Sequence, residues 1–435
     1  MNRSSLTKTS FLLAAALGAL LPFSCSKVPG GGAGPVPSGD PVECSPAAGP
    51  TKGKAAITTL AGLAAQDFSV SAWYSAEGTS FHDEDGANAI PYIRNHRFGY
   101  IKAGGEDNSY ANHAWQGVNR NGNNLSALPA YWPLDGSLSF FCYAPCRADA
   151  AAATPPDPDT RDIVLEAPVT DAGTVSRLPG YLPGSPLIRV SPKLSAPDQV
   201  DFLAAPALLD QRRTDGAFPL DFSAHRMTRV EFVFNETGFV YPTGPVPEGE
   251  EIAVRVMSIS LKNVVGSKYL YFTETLPGRT DCAWSGDVSP ADPATAGAGF
   301  PRATYRIAGE NRELKTVAQY NARYVNVPER NAANDNHIEL QTNQGLLFLL
   351  PQKLPDDAEL EVCYALVEQH GLPVVSEIVT CSLPLASLDT WPEGKVVRYK
   401  ITLNVPPRGV SDVVAQVYDW DDSGNTHNEE LMPHD

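Results

Sequence analysis

The sequence predicts an all-β protein, and three observations lead to this prediction. Apolar residues alternate with polar ones over many short runs, and the alternation is regular in Val396–Val405. The 38 prolines and 35 glycines fall between these runs, where turns are needed. No run has the apolar spacing of an amphipathic helix. Because 435 residues supply about two cores, we expect two antiparallel β-sandwiches in series, at residues 55–243 and 244–435.

The N-terminus has the pattern of a secretory signal peptide, residues 1–25. A short basic start precedes the apolar run Phe11–Leu21, which is too short to span a bilayer, and Cys25 closes the segment. The residues before Cys25 resemble a bacterial lipobox. We therefore expect diacylation of Cys25, which would become the new N-terminus; a soluble exported protein and a shifted cleavage site are the alternatives.

The next segment, residues 26–54, consists mainly of Gly, Pro, Ser and Ala. It has hardly any bulky apolar residue with which to build a core, so it is predicted to be a flexible tether. Order is expected to start at Ala55–Leu60, a weak strand that contains Ile57 and Leu60.

Two stronger strands follow in the first half. Asp67–Ser75 alternates, which predicts a half-buried strand, and Ser137–Ala144 is apolar on both faces, which predicts a central strand after the turn Asp135-Gly136. Ala76–Asn124 reads as long connections with short strands. Two further segments are predicted to be exposed loops that carry no core: Ala148–Asp162 and Pro179–Pro186.

The second half begins after the Pro- and Gly-rich segment Tyr241–Glu251, the predicted domain boundary. Within Ile252–Leu261 the apolar residues change parity, which indicates a β-bulge. Five strands are then predicted: Leu346–Leu350, Glu359–Glu368, Pro373–Cys381, Val396–Val405 and Asp412–Trp420. The last residues, 421–435, form an acidic tail.

The net charge of −17 excludes several classes of partner. Nucleic acid and anionic lipid surfaces would repel the chain. No later stretch approaches the roughly 20 apolar residues of a membrane helix. The only membrane attachment we expect is therefore the N-terminal lipid.

The sequence gives no sign of an enzyme, a metal or a cofactor. It has no Gly-x-Ser-x-Gly elbow and no phosphate-binding loop before a helix. Three polar clusters lack the spacing of a calcium loop and are interpreted as solvated turns: His82–Asp85, Asn334–His337 and Asp419–Gly424. Cys142 and Cys146 have no second pair at zinc spacing, and Cys142 is predicted to be a core residue.

With Cys25 assigned to lipid, six cysteines remain, an even number that permits disulfides in an exported chain. Cys363 and Cys381 lie on the two strands of a predicted hairpin, where they could face each other and form a bridge. The alternative is two small buried hydrophobic side chains under the hairpin.

Short motifs in a fixed order resemble the fimbrillin-like family of Bacteroidales. The motifs are Tyr131-Trp132-Pro133, Leu138–Pro145, Asp201–Ala205, Phe222–Val230, Leu350-Pro351-Gln352, Leu360–Tyr364, Trp391–Lys395, Tyr399–Leu403 and Val417–Trp420. The resemblance runs from about Ala55 to Trp420. It implies two transthyretin-like Greek-key sandwiches in a type V pilus subunit, an outer-membrane lipoprotein at the cell surface or fimbrium. It also implies partners: other subunits, joined by strand donation after a protease that cuts beyond Arg or Lys removes a first strand.

The candidate processing sites are Lys52 and Lys54, because no Lys or Arg occurs from Ala55 to Ile93. Cutting there would free the predicted tether and keep Ala55–Leu60 in place. On this reasoning the chain is expected to be a monomer or a terminal subunit, an accessory or tip adhesin, rather than a polymerising shaft subunit. The long insertions could contact a host or bacterial surface ligand, or be disordered decoration.

A glycan-binding surface lipoprotein on the same scaffold is the alternative function. Such a protein needs exposed aromatic side chains with polar neighbours. The candidates for these ligand-facing aromatics are Tyr110, Trp115 and Trp284.

Overall fold

The computed structural model describes residues 35–48, 59–82, 89–101, 115–122, 124–147, 163–169, 175–213, 217–236, 251–286, 302–307, 325–327, 338–339, 347–370, 372–385, 390–404 and 409–420. Among these residues, the helical elements with defined bounds are α1 (Leu60–Gln66) and a 3-10 turn (Ala196–Asp198). The all-β prediction is thereby confirmed.

The strands of the first half are β1 (Pro37–Pro41), β2 (Glu43–Ala48), β3 (Phe68–Ser75), β4 (Ile90–Tyr100), β5 (Trp115–Asn121), β6 (Asn124–Ala127), β7 (Tyr131–Pro133), β8 (Ser137–Ala144), β9 (Ile163–Glu166), β10 (Leu187–Val190), β11 (Leu203–Ala204), β12 (Leu208–Gln211), β13 (Phe218–Phe222) and β14 (Thr228–Glu236). The strands of the second half are β15 (Glu251–Val265), β16 (Lys268–Leu276), β17 (Arg279–Trp284), β18 (Arg302–Ile307), β19 (Val325–Val327), β20 (Ile338–Glu339), β21 (Leu347–Leu349), β22 (Gln352–Lys353), β23 (Glu359–His370), β24 (Leu372–Pro384), β25 (Thr390–Trp391), β26 (Lys395–Asn404) and β27 (Gly409–Asp419).

A nine-stranded sheet dominates the first half. Its main path is β11-β8-β3-β4-β5-β2-β13, with β12 beside β8 and β6 beside β5. The central position predicted for Ser137–Ala144 is confirmed, because β8 is buried along its whole length. The exposed face expected for β3 is wrong, since every residue of Phe68–Ser75 is buried. Its two faces contribute to two different cores, one through Val70 and the other through Trp73.

Two five-stranded sheets dominate the second half. The first has the order β20-β14-β26-β27, with β21 beside β14, and the second has the order β18-β15-β23-β24, with β19 beside β15. Their side chains meet in one buried cluster, into which Val397, Tyr399, Ile401 and Leu403 point as the alternation predicts. The bulge predicted in Ile252–Leu261 is confirmed by a register shift between Val256 and Ser258.

A third core lies between these two and draws on both halves of the chain. The sheet β17-β16-β10-β9 contributes to it, and so do Met227 and Trp420. The expectation that Pro179–Pro186 carries no core is wrong, because Tyr181 and Leu182 are buried there. Strand pairing crosses residue 243, since β10 pairs with β16 and β14 pairs in parallel with β26. The division into domains at that residue remains a prediction.

The segment before β3 differs most from the expectation. Within residues 37–48 of the predicted tether, β1 and β2 form; Cys44 of β2 and Val42, which links the two strands, are buried. Leu60 begins a helix instead of ending a strand, with Thr59 as an N-cap that accepts a hydrogen bond from the backbone of Gly62 at 3.0 Å. The tether prediction is therefore wrong for these residues, because the sheet supplies the partners that the local composition did not reveal.

Candidate functional site

The strand β2 occupies a position inside the nine-stranded sheet, between β5 and β13, which we call the β2 slot. It runs parallel to β13 over five positions, from Cys44 opposite Phe218 to Ala48 opposite Phe222. It runs antiparallel to β5 over two positions only, Glu43 and Cys44. The preceding residue, Val42, donates its backbone N–H to the carbonyl of Ala130 at 2.8 Å. Most of the pairing that holds β2 is thus on the β13 side.

The side chains of β2 alternate between the core and solvent. Cys44 and Pro46 are buried, whereas Ser45 and Ala47 are exposed. Burial raises the pKa of the Cys44 thiol well above its usual value, so this side chain behaves as a small apolar group. Pro46 has no N–H to give to the ladder. The strand therefore fills its place with small side chains and incomplete backbone pairing.

Large aromatic side chains line the core beneath the β2 slot. Phe68 is at the centre of this group, with its ring centroid 5.9 Å from those of Phe98 and Trp115 and 5.2 Å from that of Phe222. Phe218 stacks on Phe140 with centroids 4.3 Å apart. These rings belong to the same buried cluster as Val42 and Cys44. Without β2, part of this apolar surface would meet water.

Among the described strands, β13 pairs with β2 alone. Loss of β2 would leave backbone groups unpaired on both β5 and β13, above an apolar floor. A sheet with such a vacancy binds another extended strand, because main-chain hydrogen bonds and apolar side chains are satisfied together. The β2 slot is therefore a candidate strand-acceptor site.

The helix α1 packs against β2, but it is also held by ion pairs that do not involve β2. Asp67 ends the helix with a positive φ of 55°, and its carboxylate is fully buried. Arg120 binds both carboxylate oxygens at 2.5 Å and the carbonyl of Ala64 at 3.1 Å, while Arg97 binds Oδ2 at 3.0 Å. The hydrogen bond to Asp67 raises the pKa of Arg120. These ion pairs, the Asp67 clamp, tie α1 to β4 and β5.

The candidate processing lysines follow β2 in the sequence. Ala48 is the last residue of β2, Lys52 and Lys54 come next, and α1 begins at Leu60. Both lysines and the candidate lipidation residue Cys25 lie outside the described residues. Because β1 and β2 precede both lysines, a cut after either lysine would separate these two strands, not an unstructured tether, from the rest of the chain.

The two candidate ligand-facing aromatics that the structure describes, Trp115 and Trp284, do not form an exposed surface. Trp115 is 1% exposed and packs in the core under the β2 slot, which contradicts its predicted role. Trp284 is half-buried, and its indole N–H donates to the carbonyl of Arg226 at 2.7 Å. Tyr110 lies outside the described residues.

The predicted Cys363–Cys381 bridge is contradicted by the register of its hairpin. Cys363 is opposite Thr380, and Cys381 is opposite Val362, after a shift between Leu366 and Val367. The two thiols therefore point to opposite faces of the sheet and are free. Cys363 is buried, as the alternative interpretation expected, whereas Cys381 is only partly buried and packs against the core from the other face of the sheet.

The described residues contain no group of three or more His, Cys, Asp or Glu side chains that could hold a metal. His82, at the start of one polar cluster, contacts Glu274 at 3.4 Å. The clusters Asp83–Asp85, Asn334–His337 and 421–424 lie outside the described residues. Cys142 is buried in the core, as predicted. In the part of the chain that the structure describes, no helix is long and apolar enough to cross a membrane.

Sequence reasoning missed the β2 slot because the segment before it is dominated by Pro, Gly, Ser and Ala. One signal was present: Val42 and Cys44 alternate with Pro41, Glu43 and Ser45. This alternation is short, and Pro46 interrupts it.

Comparison with known proteins identifies relatives of this chain. The family model of the Fimbrillin-like family matches residues 94–420. A fimbrial protein from Bacteroides vulgatus is 16% identical, with a TM-score of 0.52, over 87% of this chain and 99% of that chain. Two candidate cell adhesion proteins, from Bacteroides uniformis and Bacteroides ovatus, have TM-scores of 0.38 and 0.37 and identities of 12% and 15%, over 88% of this chain and 100% and 98% of theirs. No curated protein matches the chain.

Proposed function

The chain belongs to the fimbrillin-like family, and from this premise we propose that it is a cell-surface fimbrial subunit that joins other subunits by strand exchange at the β2 slot. The family itself supports a pilus-related adhesion protein. The observation that supports strand exchange is the position of β2. It is an internal strand with small buried side chains and incomplete backbone pairing, and it precedes Lys52 and Lys54.

The energetics of β2 favour its replacement. Its buried positions hold Cys44 and Pro46, next to the aromatic floor formed around Phe68. A donor strand with larger apolar side chains at those positions would bury more surface, at about 0.8 kcal/mol for each additional methylene. A donor without a central proline would also pair more completely with β13. A strand from another subunit can therefore bind more tightly than β2 itself.

Proteolysis would make the replacement possible. While β2 is covalently attached, its effective concentration at the slot is high and a donor from another subunit must compete with it. A cut after Lys52 or Lys54 would convert β2 into a separate peptide. The Asp67 clamp would keep α1 in place, so the rest of the acceptor sheet would remain ready for the donor.

Anchoring through Cys25 completes the proposal. Acylated Cys25 would hold the uncut precursor at the outer membrane, and the same cut would separate the subunit from its lipid. This shaft-type assembly differs from the terminal role expected when residues 26–54 were interpreted as a tether. Because residues 37–48 are strands, the processed chain would have an empty acceptor site.

The proposal can be tested on cell-surface fractions of the producing bacterium. We expect the protein to form a ladder of high-molecular-weight species on unboiled gels, because strand-exchanged subunits resist dissociation. The double variant Lys52→Ala/Lys54→Ala should lose the ladder. The matched control Lys353→Ala/Lys395→Ala, which changes two surface lysines, should keep it. A ladder that survives in the Lys52→Ala/Lys54→Ala variant would contradict the proposal.

No second function is proposed. The glycan-binding alternative depended on exposed aromatic rings, and Trp115, one of its three candidate residues, is buried.

A further inference from the structure

The chain enters and leaves its second half at the same end of one sheet. The strand β14, which leads into this half, runs parallel to β26 with Arg229 opposite Val396. The last strand, β27, runs antiparallel to β26 with Tyr418 opposite the same Val396. The start of β14 and the end of β27 therefore lie on either side of the start of β26.

A stack of aromatic rings joins these two points. His225 lies three residues before β14, and Trp420 directly follows β27. Their rings are stacked with centroids 4.2 Å apart and planes within 11° of parallel. Phe348 of β21 also stacks on Trp420, at 5.9 Å. His225 and Trp420 are 8% and 6% exposed, so their contact is sheltered from water. We call the contact between these two rings the terminal latch.

The latch is tied to the first half of the chain through His225. The Nδ1 atom of His225 lies 2.7 Å from a carboxylate oxygen of Asp201, which is fully buried. Asp201 lies two residues before β11, and β11 pairs with β8 of the nine-stranded sheet. A load applied to Trp420 can therefore reach the sheet that contains the β2 slot through side-chain contacts.

The backbone that follows His225 is also held in place. The guanidinium of Arg226, which is buried, contacts Asp281 of β17 and Glu393 at 3.0 Å each. The carbonyl of Arg226 accepts a hydrogen bond from the indole of Trp284 at 2.7 Å. Separating the cation from either carboxylate is costly because the guanidinium is buried. The His225 side of the latch is therefore a firm attachment point.

The strand β27 is exposed to peeling by tension on the C-terminus. Among the described strands, it pairs with β26 alone. Because the chain continues from Trp420 to the C-terminus, such tension enters the described part of the chain at Trp420. Without the latch it would separate Asp419 from Lys395 and then open the ladder one pair at a time. Opening a ladder pair by pair takes less force than breaking its pairs together, so this is the weak direction of the sheet.

We propose that the terminal latch is a load-bearing contact, which carries tension from Trp420 through His225 to the first half and so protects β27 from peeling. In the proposed fimbrial role, a donor in the β2 slot would pull on β13, which ends at Phe222, three residues before His225. The load would then pass from β13 to the latch and bypass the strands of the second half. The latch is a property of the single chain, and only its use in a fibre rests on the proposed function.

Single-molecule pulling of the full-length chain in two directions tests the latch. The first direction has handles at position 134 and at the C-terminus; the second has them at positions 134 and 276, where Leu134 and Leu276 are exposed. Only the first direction loads Trp420. In that direction we expect Trp420→Ala to lower the first rupture force by about half. The rupture should add a step of about 40 Å, the extended length of Gly409–Trp420. In the second direction the force should not change.

Two further variants control for folding and for the loss of a ring. His225→Ala removes the other ring of the latch and should reproduce the effect, so it decides the question if Trp420→Ala does not fold. Tyr418→Ala removes a ring from the same strand, but one that lies 5.4 Å from the guanidinium of Arg398 in β26. This control should keep the rupture force of the unsubstituted chain in both directions.

Two results would overturn the inference. If Trp420→Ala and His225→Ala leave the force in the first direction unchanged, the latch carries no load. If the force falls equally in both directions, the rings stabilise the whole molecule and do not act on a particular path. Because purified single chains are pulled, the inference can fail while the gel ladder still supports strand exchange, and the reverse also holds.

Discussion

A chain that begins at Ala55 should lose its monomeric state. Without β1 and β2, the sheet loses the pairing of β13 and the burial of Val42 and Cys44. The lost side-chain burial and hydrogen bonds correspond to about 5 kcal/mol. We expect this chain to bind an apolar dye and to form multimers in size-exclusion chromatography. A synthetic peptide of residues 35–48, added in excess, should restore the monomer.

A matched deletion separates the effect of β1 and β2 from the effect of shortening the chain. Removal of residues 26–34 alone leaves β1 and β2 in place, and this variant should remain monomeric with an unchanged melting temperature. If the chain beginning at Ala55 were as monomeric and stable as this control, β2 would not be the strand that closes the acceptor site.

The substitution Asp67→Asn should destabilise the protein by about 3 kcal/mol. It leaves the guanidinium groups of Arg97 and Arg120 without the buried carboxylate that pairs with both. Removing one partner of a buried ion pair costs about 3–5 kcal/mol, and the lower value is expected because both arginines retain contact with water. Asparagine has almost the size and shape of aspartate, and both residue types are enriched at positive φ, so the effect measures the charge rather than backbone strain.

The control for the Asp67 clamp is an exposed ion pair of the same type. Asp40→Asn removes the carboxylate that contacts Arg213 at 2.8 Å at the surface, and it should change stability by less than about 1 kcal/mol. Chemical denaturation of both variants provides the comparison. Equal effects of the two substitutions would contradict a structural role for the clamp.

The sequence was informative wherever a strand's own residues determine its environment. The alternation in Val396–Val405 predicted which side chains of β26 enter the core, and the parity change in Ile252–Leu261 predicted the bulge in β15. The run Ser137–Ala144 predicted a central strand because both of its faces are apolar. These features are local, so the residues themselves carry the signal.

The sequence failed where distant partners decide the structure. The segment Glu43–Ala48 becomes a strand because β5 and β13 supply its hydrogen bonds, not because of its own propensity. One extra residue in β24, near Ser376, places Cys363 and Cys381 on opposite faces of the sheet, and the sequence does not reveal this residue. The sequence therefore did not reveal the β2 slot, although it indicated Lys52 and Lys54 as candidate processing sites.

The most direct test of strand exchange at the β2 slot is the N-terminal sequence of the protein isolated from the high-molecular-weight ladder. We expect the chain to begin at Gly53 or Ala55, which are the residues exposed by cleavage after Lys52 or Lys54. The peptide that carries β1 and β2 should be absent from the ladder. A ladder whose subunits retain Glu43–Ala48 would contradict the account, because the acceptor site would then still be occupied by its own strand.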